Sequence, residues 1–109
     1  MTFDMNKMLQ EAQRMQAELA KAQEEAANEV VEASSGGGMV TVRANGAGEV
    51  LAIAIDRKAI DPDDPELLAD LVLAAVNEAL RSARSLMDSK MAGLIPGDLG
   101  GLGGLLPGS

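Results

Sequence analysis

The chain of 109 residues predicts an α+β fold: a long N-terminal helix, a three-stranded antiparallel sheet and a second long helix. Three observations predict it. Residues 3–29 hold neither Gly nor Pro and place apolar residues at alternating spacings of three and four. Residues 39–55 alternate with period two around Asn45-Gly46, and Asp64-Pro65 opens a second stretch of helical spacing.

The first helix, Phe3 to Glu29, is dense in Ala, Glu, Gln, Met and Lys, which lose little freedom on becoming helical. Its apolar seam is Met5, Met8, Ala12, Met15, Leu19, Ala22 and Ala26, a heptad a/d pattern that predicts a partner met through a narrow stripe. Lys7, Arg14 and Lys21 form one row; Glu11, Glu18 and Glu25 form another. Each base precedes an acid by four residues, so the rows can pair along the helix surface.

The sheet begins with a short strand, Glu29 to Ser34, closed by Ser35-Gly36-Gly37-Gly38. Met39 to Ala44 puts Val40, Val42 and Ala44 on one face and Thr41 and Arg43 on the other. Asn45-Gly46 signals a hairpin because both residues tolerate positive φ. Val50 to Ile55 returns with Leu51, Ile53 and Ile55 on one face and Val50, Ala52 and Ala54 on the other. A strand without a polar face needs cover on both sides, or a second subunit over it.

Asp64 suits the N-cap of the second helix, Pro65 its first position and Glu66 the positive end of its dipole. Leu68, Leu71, Val72, Ala75, Ala79, Ala83 and Leu86 make its apolar face, Arg81, Arg84 and Lys90 lie in its C-terminal half, and Gly93 ends it. Residues 1–93 thus form one domain. The tail, 94–109, is a Gly/Leu-rich segment of low complexity and is expected to be disordered.

Composition narrows the function. Hydrophobic residues make up 47% of the chain, yet there is one Phe and no Trp or Tyr. A core of Leu, Val, Ile, Met and Ala buries little area per residue, and so small a chain often completes it with a second copy of itself. With no Cys and no His, disulfides, thiolate metal sites and the commonest general base are absent, and neither a cofactor nor an enzyme activity is expected. No signal-like apolar core opens the chain, and the longest apolar run, Leu71 to Val76, is too short to cross a bilayer. A cytoplasmic protein with no membrane partner is the reading.

The motifs that could carry chemistry have simpler explanations. Asp61, Asp63, Asp64 and Glu66 lack the central Gly and the distal Glu of a calcium loop and read as helix capping. Gly36 to Gly38, and Gly46 with Gly48, have no following Lys-Ser/Thr and no strand–loop–helix context, so they read as turns rather than a phosphate cradle. A single Phe disfavours stacking on unpaired bases. Net charge is −8, and it is uneven: −4 over residues 3–32, +1 over 33–58 and −5 over 59–98. The row Lys7, Arg14, Lys21 has two readings. One is a solvated face neutralised by the glutamates. The other is a charge ladder, since fourteen residues of helix rise ~21 Å and could follow a phosphate backbone.

Several local motifs, taken together, resemble the YbaB/EbfC family of nucleoid-associated proteins over nearly the whole chain. They are the Met/Gln/Ala-rich first helix, Gly38-Met39-Val40-Thr41-Val42 leading to Asn45-Gly46, and Ile55-Asp56 before the acidic loop. The most specific is Asp70-Leu71-Val72-Leu73-Ala74-Ala75-Val76-Asn77-Glu78-Ala79-Leu80, with Lys90-Met91 and Leu106-Pro107-Gly108 after it. The resemblance implies an intertwined homodimer with projecting helices. It also implies binding of double-stranded DNA with low sequence preference, in organising the nucleoid or tuning transcription. Contacts are then expected on those helices, where Lys7, Arg14, Lys21, Arg81, Arg84 and Lys90 are candidates by charge and placement. The alternative is a protein-binding scaffold dimer with little DNA affinity of its own.

Overall fold

A computed structural model describes residues 4–94. The elements are α1 (Met5–Asn28), β1 (Val30–Ser35), β2 (Val40–Asn45), β3 (Val50–Ile55), a 3-10 turn (Arg57–Ala59) and α2 (Pro65–Ala92). The α+β reading therefore stands, with strand order β1-β2-β3 and both pairings antiparallel. The expected helix start at Phe3 and the expected disorder beyond Leu94 lie outside the described residues.

Local chemistry explains most boundaries. Asp4 caps α1, its carboxylate accepting from the Lys7 amide at 3.1 Å. Asp64 caps α2 by accepting from Leu67 N–H at 3.3 Å, and Pro65 fills the first position, where its missing N–H costs nothing. The helix ends before Gly93, which stays right-handed at φ −64° instead of adopting a left-handed cap. The first hairpin turns on Gly36, Gly37 and Gly38, all at positive φ. At its base the Ser35 hydroxyl donates to the Leu71 carbonyl at 2.6 Å, tying β1 to α2.

The second hairpin differs from its expected form. Asn45 is not at positive φ; only Gly48 of this turn is. The Asn45 side-chain oxygen instead accepts from the amides of Ala47 and Glu49, at 3.0 and 3.1 Å, and this Asx turn replaces a two-residue loop. Gly46 has another reason to be glycine. Its N–H donates to the Ala26 carbonyl at 2.9 Å, and a Cβ there would collide with that carbonyl oxygen. The position brings the sheet against α1.

α2 lies across β1 and β2 and scarcely touches β3. The core between them is built from small residues: Ala33, Val40, Val42 and Ala44 against Ala75, Ala79 and Ala83, with Val31, Leu68, Leu71, Val72 and Val76 around them. Register places Ile53 opposite Val42 and Ile55 opposite Val40, on the same face as that core. Yet β3 is exposed at all six positions, because α2 stops short of it.

α1 is divided in the same way. Ala22 and Ala26 are buried where it packs on α2 and the end of β2. Every residue from Asp4 to Glu18 is exposed, so the first half of the helix projects beyond the body of the chain. Among the described residues, the heptad seam thus finds a partner only at its C-terminal end.

Candidate nucleic-acid interface

The projecting half of α1 carries Lys7 and Arg14 of the first candidate row, and Lys21 follows where the helix begins to pack. Residues seven apart drift by only about 20° around an α-helix, so Lys7, Arg14 and Lys21 share one face over ~21 Å. On the same geometry this row lies roughly 130° from the centre of the apolar seam, with the glutamate row between the two. The pairing is not the i,i+4 ladder expected. Arg14 binds Glu11, one turn back, at 2.8 Å, with both side chains mostly in water. Lys7 and Lys21 make no ion pair within 4 Å among the described residues, and both are exposed. An exposed pair such as Arg14–Glu11 contributes little, about 0–1 kcal/mol, so a phosphate can compete for the guanidinium.

The three α2 candidates do not form a comparable surface. Arg81 is exposed and held by Glu78, its Nη2 at 2.6 Å from the carboxylate. Arg84 is exposed one turn later and lines a shallow hollow with the Gly46–Gly48 turn, Leu80, Met87 and Asp88. Lys90 is nine positions after Arg81, which places it about 180° around the helix. Its ammonium reaches across to α1, 2.5 Å from Glu29 and 4.0 Å from Glu25. The hydrogen bond to Glu29 raises the Lys90 pKa above the ordinary lysine value, against the lowering effect of its partial burial. Lys90 therefore joins the two helices, an arrangement that residues sixty positions apart could not signal in sequence.

Three further bases lie outside the helix rows. Arg43, on the open face of the sheet, is paired with Glu32 at 3.0 Å. Arg57 and Lys58 sit on the 3-10 turn, exposed and without an ion pair within 4 Å among the described residues. The adjacent Arg-Lys is visible in the sequence. Asp56, which caps the turn, and Asp61, Asp63 and Asp64 just after it dilute its charge. Among the described residues, no group of three or more acids is arranged to hold a metal, and no helix is long and apolar enough to cross a membrane.

Comparison with known proteins is consistent across three levels. Residues 1–99 match the model of the YbaB/EbfC DNA-binding family. A nucleoid-associated protein of Saccharopolyspora erythraea is 50% identical over 109 residues, covering 96% of this chain and 93% of the relative. One of Ruminiclostridium cellulolyticum is 46% identical over 102 residues, covering 94% of this chain and 88% of its own. In fold, the chain is similar to an uncharacterized protein of Helicobacter pylori whose crystal structure superposes with a TM-score of 0.70. That likeness covers 81% of this chain and 92% of the other, at 24% identity.

Proposed function

Because the chain belongs to the YbaB/EbfC DNA-binding family, a family of nucleoid-associated proteins rather than enzymes, we propose that it binds double-stranded DNA as a homodimer, mainly through phosphates and with low sequence preference. Its place would be the nucleoid, in the cytoplasm, where it organises DNA or tunes transcription. The observation that carries this reading is the exposed row Lys7, Arg14, Lys21, whose first two members lie on the half of α1 that is exposed at every position from Asp4 to Glu18. The homodimer rests on β3, whose Ile53 and Ile55 continue the core face without cover from α2, beside a register shift that sets Val50 rather than Leu51 opposite Ala44.

Charge sets the terms of binding. A dimer of chains at −8 is repelled by DNA at long range, so bases must face the duplex while acids face away. Two copies of the row offer six bases, for which full engagement gives a log–log salt slope of roughly −5. Competition from Glu11, Glu18 and Glu25 should reduce this to about half. A salt titration of binding to unrelated duplexes tests the reading: similar affinities and a slope in that range support it, and a flat salt response defeats it.

A second reading, a scaffold for a partner protein, draws on the exposed apolar side chains Met5, Met8 and Leu9 at the tip of α1. A stoichiometric partner that survives nuclease treatment would favour it.

A further inference from the structure

DNA binding leaves the apolar seam of α1 unused. Met5 is 65% exposed and Met8 and Leu9 each 56%, and a groove runs along Met5, Met8, Leu9 and Ala12. Glu11, Glu18 and Glu25 border the seam on one side and Leu9, Gln16 and Gln23 on the other. Such flanks restrict the occupant. An antiparallel copy of α1 would bring two glutamate rows together, and a parallel copy would give those glutamates no basic partner. A low-charge apolar segment fits better.

The chain carries one, and it starts at the right place. Leu94, last of the described residues, lies beside Glu18, Lys21, Ala22 and Glu25 of α1. Lys90 meets Glu29 and Leu94 meets Ala22, so α2 runs antiparallel to α1 and delivers the chain toward Met5. Fifteen residues follow, with Ile95, Leu99, Leu102, Leu105 and Leu106 among glycines and Asp98 as their one charged side chain. From the level of Ala22 to Met5 the helix rises ~26 Å. Fifteen extended residues reach as far as ~50 Å, so even a bent path spans the seam.

We propose that residues 95–109 lie along the Met5–Leu19 seam of their own chain and shield it from other proteins. Methionine thioethers adapt to leucines of irregular spacing, and the intervening glycines let backbone approach the helix. Covalent attachment supplies an effective concentration near millimolar, so each leucine needs only a weak contact. Lys7 and Arg14, on another face of α1, stay open to DNA while the seam is covered; Lys21 borders the point where the segment starts.

The absence of cysteine allows a single spin label at Ser109→Cys in the full chain, read out by the methyl signals of its methionines. Label and isotope are placed on the same chain, which is then mixed with excess unlabelled protein. Intensities of Met5, Met8 and Met15 should fall by about half or more, as an intramolecular contact at millimolar effective concentration would give. Met39, in the first hairpin, should keep its intensity. Replacing Leu99, Leu102, Leu105 and Leu106 by Ser should restore the lost signals. Undiminished α1 signals overturn the proposal. So does broadening that disappears on mixing, which would make the occupant a second copy, and so does broadening that survives the leucine replacements.

Discussion

α2 with β1 and β2 closes a core from alanines and valines, whereas β3 and the first half of α1 leave larger apolar residues in the open. Val40 and Val42 are the largest side chains fully buried, while Ile53 is 46% exposed one strand away on the same face. The difference teaches how the chain divides its labour. Three helical alanines at spacings of four let α2 approach the sheet closely, but the helix covers only two strands. The third strand extends the core surface without finishing it. A second chain finishing it is the simplest way to remove so much apolar area from water.

The sharpest way to break that contrast is an aspartate at Ile53. In an isolated chain a half-exposed strand position tolerates the change at about 0.5 kcal/mol or less. If a second chain covers β3, Ile53→Asp buries an unpaired carboxylate and should cost more than about 3 kcal/mol, with loss of the dimer. Thermal melting together with light scattering reads both effects. A parent-like melt would mean that β3 is open in solution. The matching change Met8→Asp, on the projecting helix, should leave the melting temperature nearly untouched.

Gly46→Ala probes the junction between the two regions. Its Cβ meets the Ala26 carbonyl, so α1 must shift or the turn must open, at a cost of about 1–3 kcal/mol. Denaturant unfolding measures it. A neutral result would mean that α1 is not held against the hairpin.

The smallest effect concerns Lys90. Its folded-state pKa is raised by Glu29, so its contribution is complete below the ordinary lysine value and is lost as pH rises through the folded value. The contact between α1 and α2 should therefore weaken only in strongly alkaline solution, and Lys90→Met should remove that last part of the pH dependence. Amide exchange of residues 22–29 follows it. An alkaline loss of protection that persists in the variant would place its cause elsewhere.

Elements set by local chemistry were legible in the sequence. Asp64-Pro65 marks the start of α2, and the expected bounds of the third strand, Val50 to Ile55, match β3, although a register shift opposite Arg43 and Ala44 interrupts the alternation at Leu51. What depends on distant residues was not. The heptad seam looks uniform from Met5 to Ala26, yet contact with α2 and β2 separates buried Ala22 and Ala26 from the exposed methionines. Asn45-Gly46 signalled a turn, but the need for glycine comes from α1, twenty residues earlier. The candidate site was legible as a row of charges on α1. It was less so on α2, where Lys90 is engaged by Glu29 and shares no face with Arg81.

The basic row of α1 bears the central claim, and charge reversal tests it most directly. Duplex binding by fluorescence anisotropy at low salt would be compared for the parent and for Lys7→Glu/Arg14→Glu/Lys21→Glu. The triple variant should lose binding while keeping its dimer and melting temperature, because exposed pairs contribute little to stability. Binding equal to the parent would contradict the assignment, and the same reversal at Arg81 and Arg84 would then show whether α2 carries the DNA surface instead.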